Sequence, residues 1–528
     1  MDFDIVSLSR LQFALTALYH FIFVPLTLGL SILVAIMETV YVLTGRTLWR
    51  DMTKFWGGLF GINFAMGVAT GIVMEFQFGM NWSYYSHYVG DIFGAPLALE
   101  GLMAFFLEAT FVGLFFFGWE RLSRVKHLIV AWCVALGSNF SALWILIANG
   151  WMQNPVGAQF NPQTMRMEMT DFFAVLINPM AQTKFVHTVT AGYVTAAVFV
   201  LGISACYLLK GRYPALAKRS MTVAATFGLV SALALVALGD ESGYLVAKHQ
   251  KMKLAAMEAM WKTEPAPAAF TAFGFPDQAA RETHYAVHVP WLMGLIGTRS
   301  LTTEIAGIEA LVEQAERRIR DGLTAYDALQ RIRAASKTGA GIPPQAQADF
   351  ETHGHALGHA LLLKRYTDDP RQASPEQIRQ AAWDTVPQVA PLFWAFRLMV
   401  GLGFFLIVLT AVFSWLSIQR RLDAHPWLLK IAAYSIPLPW IAIECGWIVA
   451  ELGRQPWVIE GVLPTAVAVS NLGASTVLFT IIGFVLIYTV LLLIELKLML
   501  RAIRKGPDIA APDSADSRIT AATPAPAH

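Results

Sequence analysis

Nine separate stretches of this chain are apolar over the length needed to cross a bilayer, which restricts it to a set of membrane-spanning helices. A helix crosses the hydrocarbon core with about 18 or more consecutive apolar residues. Residues 11–44, 55–80, 95–119, 127–150, 185–209, 219–239, 391–417, 428–451 and 473–500 each meet that requirement. Composition agrees, with 56% hydrophobic residues, 14% charged residues and a mean hydropathy of +0.51, whereas about a quarter of the residues of a soluble domain are charged. A net charge of +2 creates no large single-sign field and argues against a nucleic-acid partner. Cys133, Cys206 and Cys445 lie in different apolar runs without any CxxC or CxxCH, which excludes a disulfide scaffold, a zinc ribbon and a covalently attached haem. The N-terminus carries Asp2 and Asp4 and no basic n-region, so the first span is expected to be retained.

The loops after spans one, three, five, seven and nine are basic, carrying Arg46, Arg50 and Lys54; Arg121, Arg124 and Lys126; Lys210, Arg212, Lys218 and Arg219; Arg420, Arg421 and Lys430; and Lys497, Arg501, Arg504 and Lys505. The positive-inside rule then puts the N-terminus outside and the C-terminus in the cytoplasm. The spacing predicts four regions: helices one to six in 1–239, an outer-face domain in 240–390, helices seven to nine in 391–505 and a disordered tail in 506–528. The outer region contains amphipathic helical text, IEALVEQAERRIRDGLTAYDALQRIRAA. Near its start, Pro265 and Pro267 disfavour helix at the residues before them, which suggests an extended linker or a flap over a substrate. No repeat period is visible.

Several residues do not suit a lipid-facing helix. His20 lies about a third of the way into span one, His187 begins span five, and Met399 sits within span seven. His187 and Met399 reach similar depths, because Met399 is about 12 Å below Pro391 at ~1.5 Å per residue. Imidazole with thioether is the axial pair of a low-spin haem of raised potential; the bland alternative is a packed histidine and an ordinary core methionine. Glu100 and Glu108 in span three carry a burial cost of roughly 2.5 to 3.5 kcal/mol each at a helix centre. On a regular α-helix, eight residues put them about 80° and 12 Å apart, a spacing suited to proton relay or to two structural carboxylates. Glu75 and Glu444 are weaker candidates, and Gly67 with Gly71 offers a small-residue face for a helix or a macrocycle. In Glu451-Leu-Gly-Arg-Gln-Pro-Trp457, Pro456 ends the helix, and Arg454 can neutralise Glu451 or hold acidic cofactor edges; an interfacial salt bridge is the plain alternative.

The blocks GRQPW, APLALEGLMAFFLEATFVGLFFFGWERLS, SALWILIANGWMQNP, GDESGY and VAPLFWAFRLMVG resemble subunit I of the cytochrome bd ubiquinol oxidases, over about residues 5–505. The resemblance implies an all-α integral membrane protein of nine helices, arranged as two four-helix bundles plus a peripheral helix, with a large outer quinol-binding loop of the long subtype. It implies two haem b groups and one haem d, with His187 and Met399 on the low-spin haem b, His20 on haem d and Glu451 on the high-spin haem b. Family members exchange the last two haem positions, so the haem served by His20 and by Glu451 stays open. Glu100 would lie beside haem d, and Glu108 with Ser141 would carry protons from the cytoplasm. Arg397, Arg454 and Trp447 are counted with the cofactor-contacting residues, Arg397 stabilising the reduced low-spin haem. Lys253 and Glu258 match positions associated with quinol oxidation.

The same resemblance implies a terminal oxidase of the bacterial inner membrane that takes quinol outside and builds a proton motive force by vectorial proton uptake, without pumping. It also implies a second membrane subunit and small single-helix accessory subunits. His353, His355 and His359 depart locally from the pattern; three solvated helix residues are the commoner explanation and a surface metal the rarer. Two rival readings are a transporter with coupling-ion carboxylates and a haem b quinol dehydrogenase.

Overall fold

In lipid every backbone N–H and C=O must be satisfied within the chain, and a helix does this segment by segment. The computed structural model describes residues 4–339 and 341–508; the tail expected to be disordered lies, from residue 509 onward, outside the described residues. Among the described residues nine helices are long and apolar enough to cross a membrane. Six precede the outer region: α1 Ile5–Thr44, α2 Thr47–Met80, α3 Ser83–Phe117, α4 Arg124–Gln153, α5 Pro179–Leu209 and α6 Pro214–His249. The outer region contributes α7 Lys251–Met257 and α8 Ile308–Thr338. The last three membrane helices are α9 Val389–Ile418, α10 Pro426–Leu452 and α11 Ala474–Lys505.

Helix ends follow local chemistry. The Asp4 carboxylate accepts from the N–H groups of Val6 and Ser7 at the start of α1, satisfying two of the orphan donors of a first turn. Gly45 ends the same helix at φ +70°, a left-handed conformation that costs glycine little, and α2 begins two residues later. Pro179 and Pro214 open α5 and α6, where the missing N–H is no loss.

α1 packs against α2, α4 and α5, α5 against α6, and α9 against α6 and α10, while α11 lies on α1 and α2. The all-α membrane architecture expected from the sequence is the one observed. At the α1–α5 crossing, a Cβ on Gly29 would come within 2.4 Å of the Gly192 carbonyl oxygen, so only glycine allows the two backbones to approach this closely. Outside the membrane helices are three antiparallel two-stranded hairpins: β1 Ala158–Asn161 with β2 Arg166–Met169, β3 Phe270–Asp277 with β4 Glu282–Val289, and β5 Trp457–Ile459 with β6 Leu463–Pro464. In α8, Ile308, Leu311, Val312, Ala315 and Ile319 form the helical stripe that packs on Leu254, Met260, Leu363 and Ile378, giving the outer region its own core.

Three expectations need correction. Span three starts at Ser83 rather than near 95, since a helix tolerates the polar His87 and Asp91 on its outer turns. α6 runs through Gly239 to His249, so its last turns carry GDESGY past the boundary expected at 239. Neither α3 nor α10 is a regular α-helix: a π-helical turn occupies Glu100–Phe105 in one and Ile448–Leu452 in the other. The angle and depth inferred for Glu100 and Glu108 from 3.6 residues per turn therefore do not apply.

Candidate functional site

A cavity of about 930 Å³ lies among the membrane helices, within the size range of cofactor pockets. His20, Glu100, Glu108, Ser141, Trp447 and Glu451 all line it. The two π-helical turns contain Glu100 and Glu451 respectively; an extra residue in a turn re-aims side chains, and such turns recur at functional sites.

His20 is oriented from behind. Its Nδ1 lies 2.9 Å from the Thr70 hydroxyl, which itself donates to the Met66 and Gly67 carbonyls. With its proton so used, the Thr70 oxygen accepts from Nδ1–H and leaves the Nε2 lone pair free, the tautomer that a metal-binding histidine needs. Gly71 makes room, because a Cβ there would sit 3.2 Å from His20 Cε1.

Ser141, expected with Glu108 on the proton route, sits beside Glu100. Its hydroxyl donates to Glu100 Oε1 at 2.7 Å, while Glu108 is buried beside Ser138 and against Gly137, where a Cβ would come within 2.9 Å of Glu108 Cγ. The two glutamates thus meet α4 at Ser141 and Ser138 respectively. Glu75 also lines the cavity, close enough to Glu100 to interact with it electrostatically.

Glu451 sits in a cage of donors. Its Oε1 accepts from Asn149 Nδ2 at 3.1 Å, Gln153 Nε2 at 3.2 Å and Lys184 Nζ at 3.3 Å, and its Oε2 is held by Arg454. Arg454 is buried, and its Nε and Nη1 have no protein partner among the described residues, leaving two donor nitrogens for an anionic group at the cavity wall. Lys184, Asn149 and Gln153 escaped sequence reasoning. A polar pair four residues apart near the end of span four and a lysine one turn before His187 were the available signal. Trp447 lies under the Lys184 ammonium at 5.2 Å and packs edge-on against Phe21 at 4.8 Å.

His187 and Met399 are on α5 and α9. The buried His187 Nδ1 has no hydrogen-bond partner among the described residues, and a Cβ on Gly239 would lie 3.7 Å from its Cε1. A Cβ on Gly446 would approach Met399 Sδ to 3.2 Å. Both candidate ligands thus face positions kept bare by glycine. Glu444, one turn before Trp447, keeps both carboxylate oxygens buried without a partner among the described residues.

Lys253 and Glu258 are both buried but point to different partners. Lys253 Nζ donates to Gln153 Oε1 at 2.5 Å, Gln250 Oε1 at 2.8 Å and the Ala450 carbonyl at 2.9 Å, tying the outer region to the helix that carries Glu451. Burial, with Lys184 nearby, pulls its ammonium down to about 7. Glu258 Oε2 accepts from Arg397 Nη2 at 2.9 Å while Oε1 has no partner among the described residues; burial pushes this carboxyl up to about 7 against the opposing effect of Arg397. Arg397 also donates to the Met257, Thr271 and Phe393 carbonyls. Of the three outer histidines, His359 is buried edge-on against Trp457 at 5.0 Å, and His353 lies 3.8 Å from Asp321. Among the described residues no group of three or more His, Cys, Asp or Glu could hold a metal ion.

The family model for cytochrome bd terminal oxidase subunit I matches residues 8–507. The chain belongs to this family. It is 52% identical over 504 residues to cytochrome bd-II ubiquinol oxidase subunit 1 of Escherichia coli (strain K12), covering 96% of this chain and 97% of that one. It is 37% identical to cytochrome bd ubiquinol oxidase subunit 1 of Bacillus subtilis (strain 168), covering 95% and 94% respectively. Its fold superposes on the bd oxidase of Geobacillus thermodenitrificans with a TM-score of 0.76 at 26% identity, covering 96% of this chain and 99% of that one. Membership of the cytochrome bd terminal oxidase family leaves the transporter reading without support.

Proposed function

We propose that this chain is the quinol-oxidising and oxygen-reducing subunit of a bacterial inner-membrane terminal oxidase, with its N-terminus outside and its C-terminus in the cytoplasm. Bound haems, two of type b and one of type d, supply the electron transfers and the reduction of oxygen to water. Relatives named as ubiquinol oxidases support the substrate class. The observation that carries the reading is the single cavity lined by both His20 and Glu451, with the free Nε2 of one and the donor-caged carboxylate of the other turned to the same space.

The residues fit these groups. His187 and Met399 would hold the low-spin haem b, on the strength of an orphaned imidazole nitrogen and two glycine-cleared faces. His20 would hold haem d and Glu451 the high-spin haem b, with Arg454 offering its two unpartnered nitrogens to propionates and Trp447 as cavity wall.

At the outer side, Glu258 takes a quinol hydroxyl proton on Oε1, the oxygen that Arg397 leaves free. Lys253 keeps that segment docked to α10 through Gln153 and Ala450. Protons consumed in making water come from the cytoplasm through Glu108 to Glu100, whose Oε1 is oriented by Ser141. Quinol protons leave outside while water protons enter from inside, so charge separates without a pump; each charge moved against 100 mV stores about 2.3 kcal/mol. A second membrane subunit completes the cytoplasmic proton entrance, and single-helix accessory subunits complete the complex. Purified complex in liposomes should take up oxygen with quinol and build a potential with no more than one proton released outside per electron. A colourless protein, or quinol oxidation without oxygen uptake, would overturn the proposal.

A further inference from the structure

We propose that the β3–β4 hairpin of the outer region is a membrane-interface anchor, with its aromatic face seated in the headgroup zone of the outer leaflet. The depth scale comes from α9. Trp394, Leu398, Phe405, Val408 and Trp415 are exposed and share one face of that helix. Trp394 and Trp415 are 21 residues apart, or about 31 Å at ~1.5 Å per residue, which matches the ~30 Å hydrocarbon thickness. Tryptophan concentrates at both edges of that layer, so Trp394 marks the outer edge.

The hairpin runs down α9 to that level. At its tip Gln278 accepts from the Val389 N–H at the first turn of α9. Further along, Phe273 and Phe275 pack on Trp394 at 5.3 and 5.8 Å, and the Thr271 carbonyl accepts from Arg397 at 3.0 Å, three residues deeper. Phe273 is 42% and Phe275 50% exposed, and Tyr285, Val287 and Trp291 are exposed on the returning strand and just beyond it. Charge is confined to the tip, where His284 lies between Asp277 and Glu282. With its formal charges at the tip and its aromatic residues beside Trp394, the hairpin follows the polarity of the bilayer surface, and Phe273 and Phe275 join its apolar patch to the exposed stripe of α9 at Trp394. Arg299, bonded to Asp240 at 2.9 Å and Glu241 at 2.7 Å, pins the following segment to α6, so two membrane helices fix its height. That continuity commits the occupant to lipid rather than to a protein partner, and it holds whichever substrate the outer region handles.

The test places p-benzoylphenylalanine at Phe275, and separately at Val287, in the full oxidase complex in native membranes, with Glu313 on the exposed face of α8 as control. After irradiation, mass spectrometry should find phospholipid adducts at 275 and 287 and none at 313. Cross-links to another protein at 275 and 287, or adduct yields equal to the control, would overturn the anchor. An unchanged visible spectrum before irradiation certifies that each labelled complex is folded.

Discussion

Arg397 and Glu258 form a buried ion pair of 2.9 Å that joins the outer region to the helix carrying Met399. Their side chains are 9% and 2% exposed, so neither charge has water to fall back on. Removing one partner of such a pair costs about 3–5 kcal/mol, and Arg397 also satisfies three backbone carbonyls. Arg397→Ala should therefore loosen the outer region within an otherwise intact membrane domain, seen as proteolytic nicking near residue 260 at temperatures where the parent resists. Glu258→Gln keeps an acceptor for the guanidinium and should show the smaller effect.

The same glutamate sets a pH dependence. Burial raises the Glu258 carboxyl from its ordinary 4.5 to about 7, so between those values the folded protein binds a proton that the unfolded chain has lost. Stability from this group is fully present below about 4.5 and declines as pH rises through about 7, by at most about 3 kcal/mol. Thermal melts of the outer region between pH 5 and pH 8 should fall with rising pH, and Glu258→Gln should flatten that slope. In turnover the sign is opposite, because the deprotonated carboxylate is the acceptor: the quinol rate should rise through pH 7 in the parent and lose that limb in the glutamine variant.

Thr70 acts on the cavity through His20. A ligand imidazole freed of its outer hydrogen bond typically loses 10–100-fold in metal affinity. Thr70→Val should lower haem occupancy at that position without emptying it, while His20→Ala should empty it. Gly71→Ala forces a methyl against His20 at 3.2 Å and should resemble Thr70→Val. Haem content per protein, read from the extracted pigment, ranks the three variants.

Glu108 is the buried carboxylate eight residues after Glu100 on the same helix. Glu108→Gln preserves shape but cannot cycle a proton, so steady-state oxygen uptake should drop by about 10²-fold or more, as for loss of a general acid–base group. Low-spin haem reduction by quinol should persist. Full turnover with a full membrane potential in liposomes would remove Glu108 from the proton route.

Much of this architecture can be read from the chain because lipid imposes a coarse, length-based rule on apolar runs. The rule located all nine spans but misjudged the outer ends of α3 and α6, where His87, Asp91, Asp240 and Glu241 lower hydropathy without stopping a helix. Single residues such as His20 and Glu451 stood out because polar groups at those depths are costly. The π-helical turns at Glu100 and Glu451 did not, since an extra residue in a turn leaves no mark on composition. Nor did the Lys184–Asn149–Gln153 cage, which exists only once α4, α5 and α10 meet and which pairwise spacing along one helix cannot display. The hydrogen bond from Ser141 to Glu100 was not legible either: it depends on the register between two helices, one of them irregular.

Histidine, methionine and glutamate side chains of this chain are proposed to hold three haems. Haem extraction with pyridine haemochrome analysis of the purified complex tests it most directly, in the parent and in His187→Ala. Two b-type haems and one d-type haem per complex are expected in the parent, and loss of the low-spin b signal alone in the variant. Absence of haem from the parent, or an unaltered low-spin spectrum in His187→Ala, would contradict it.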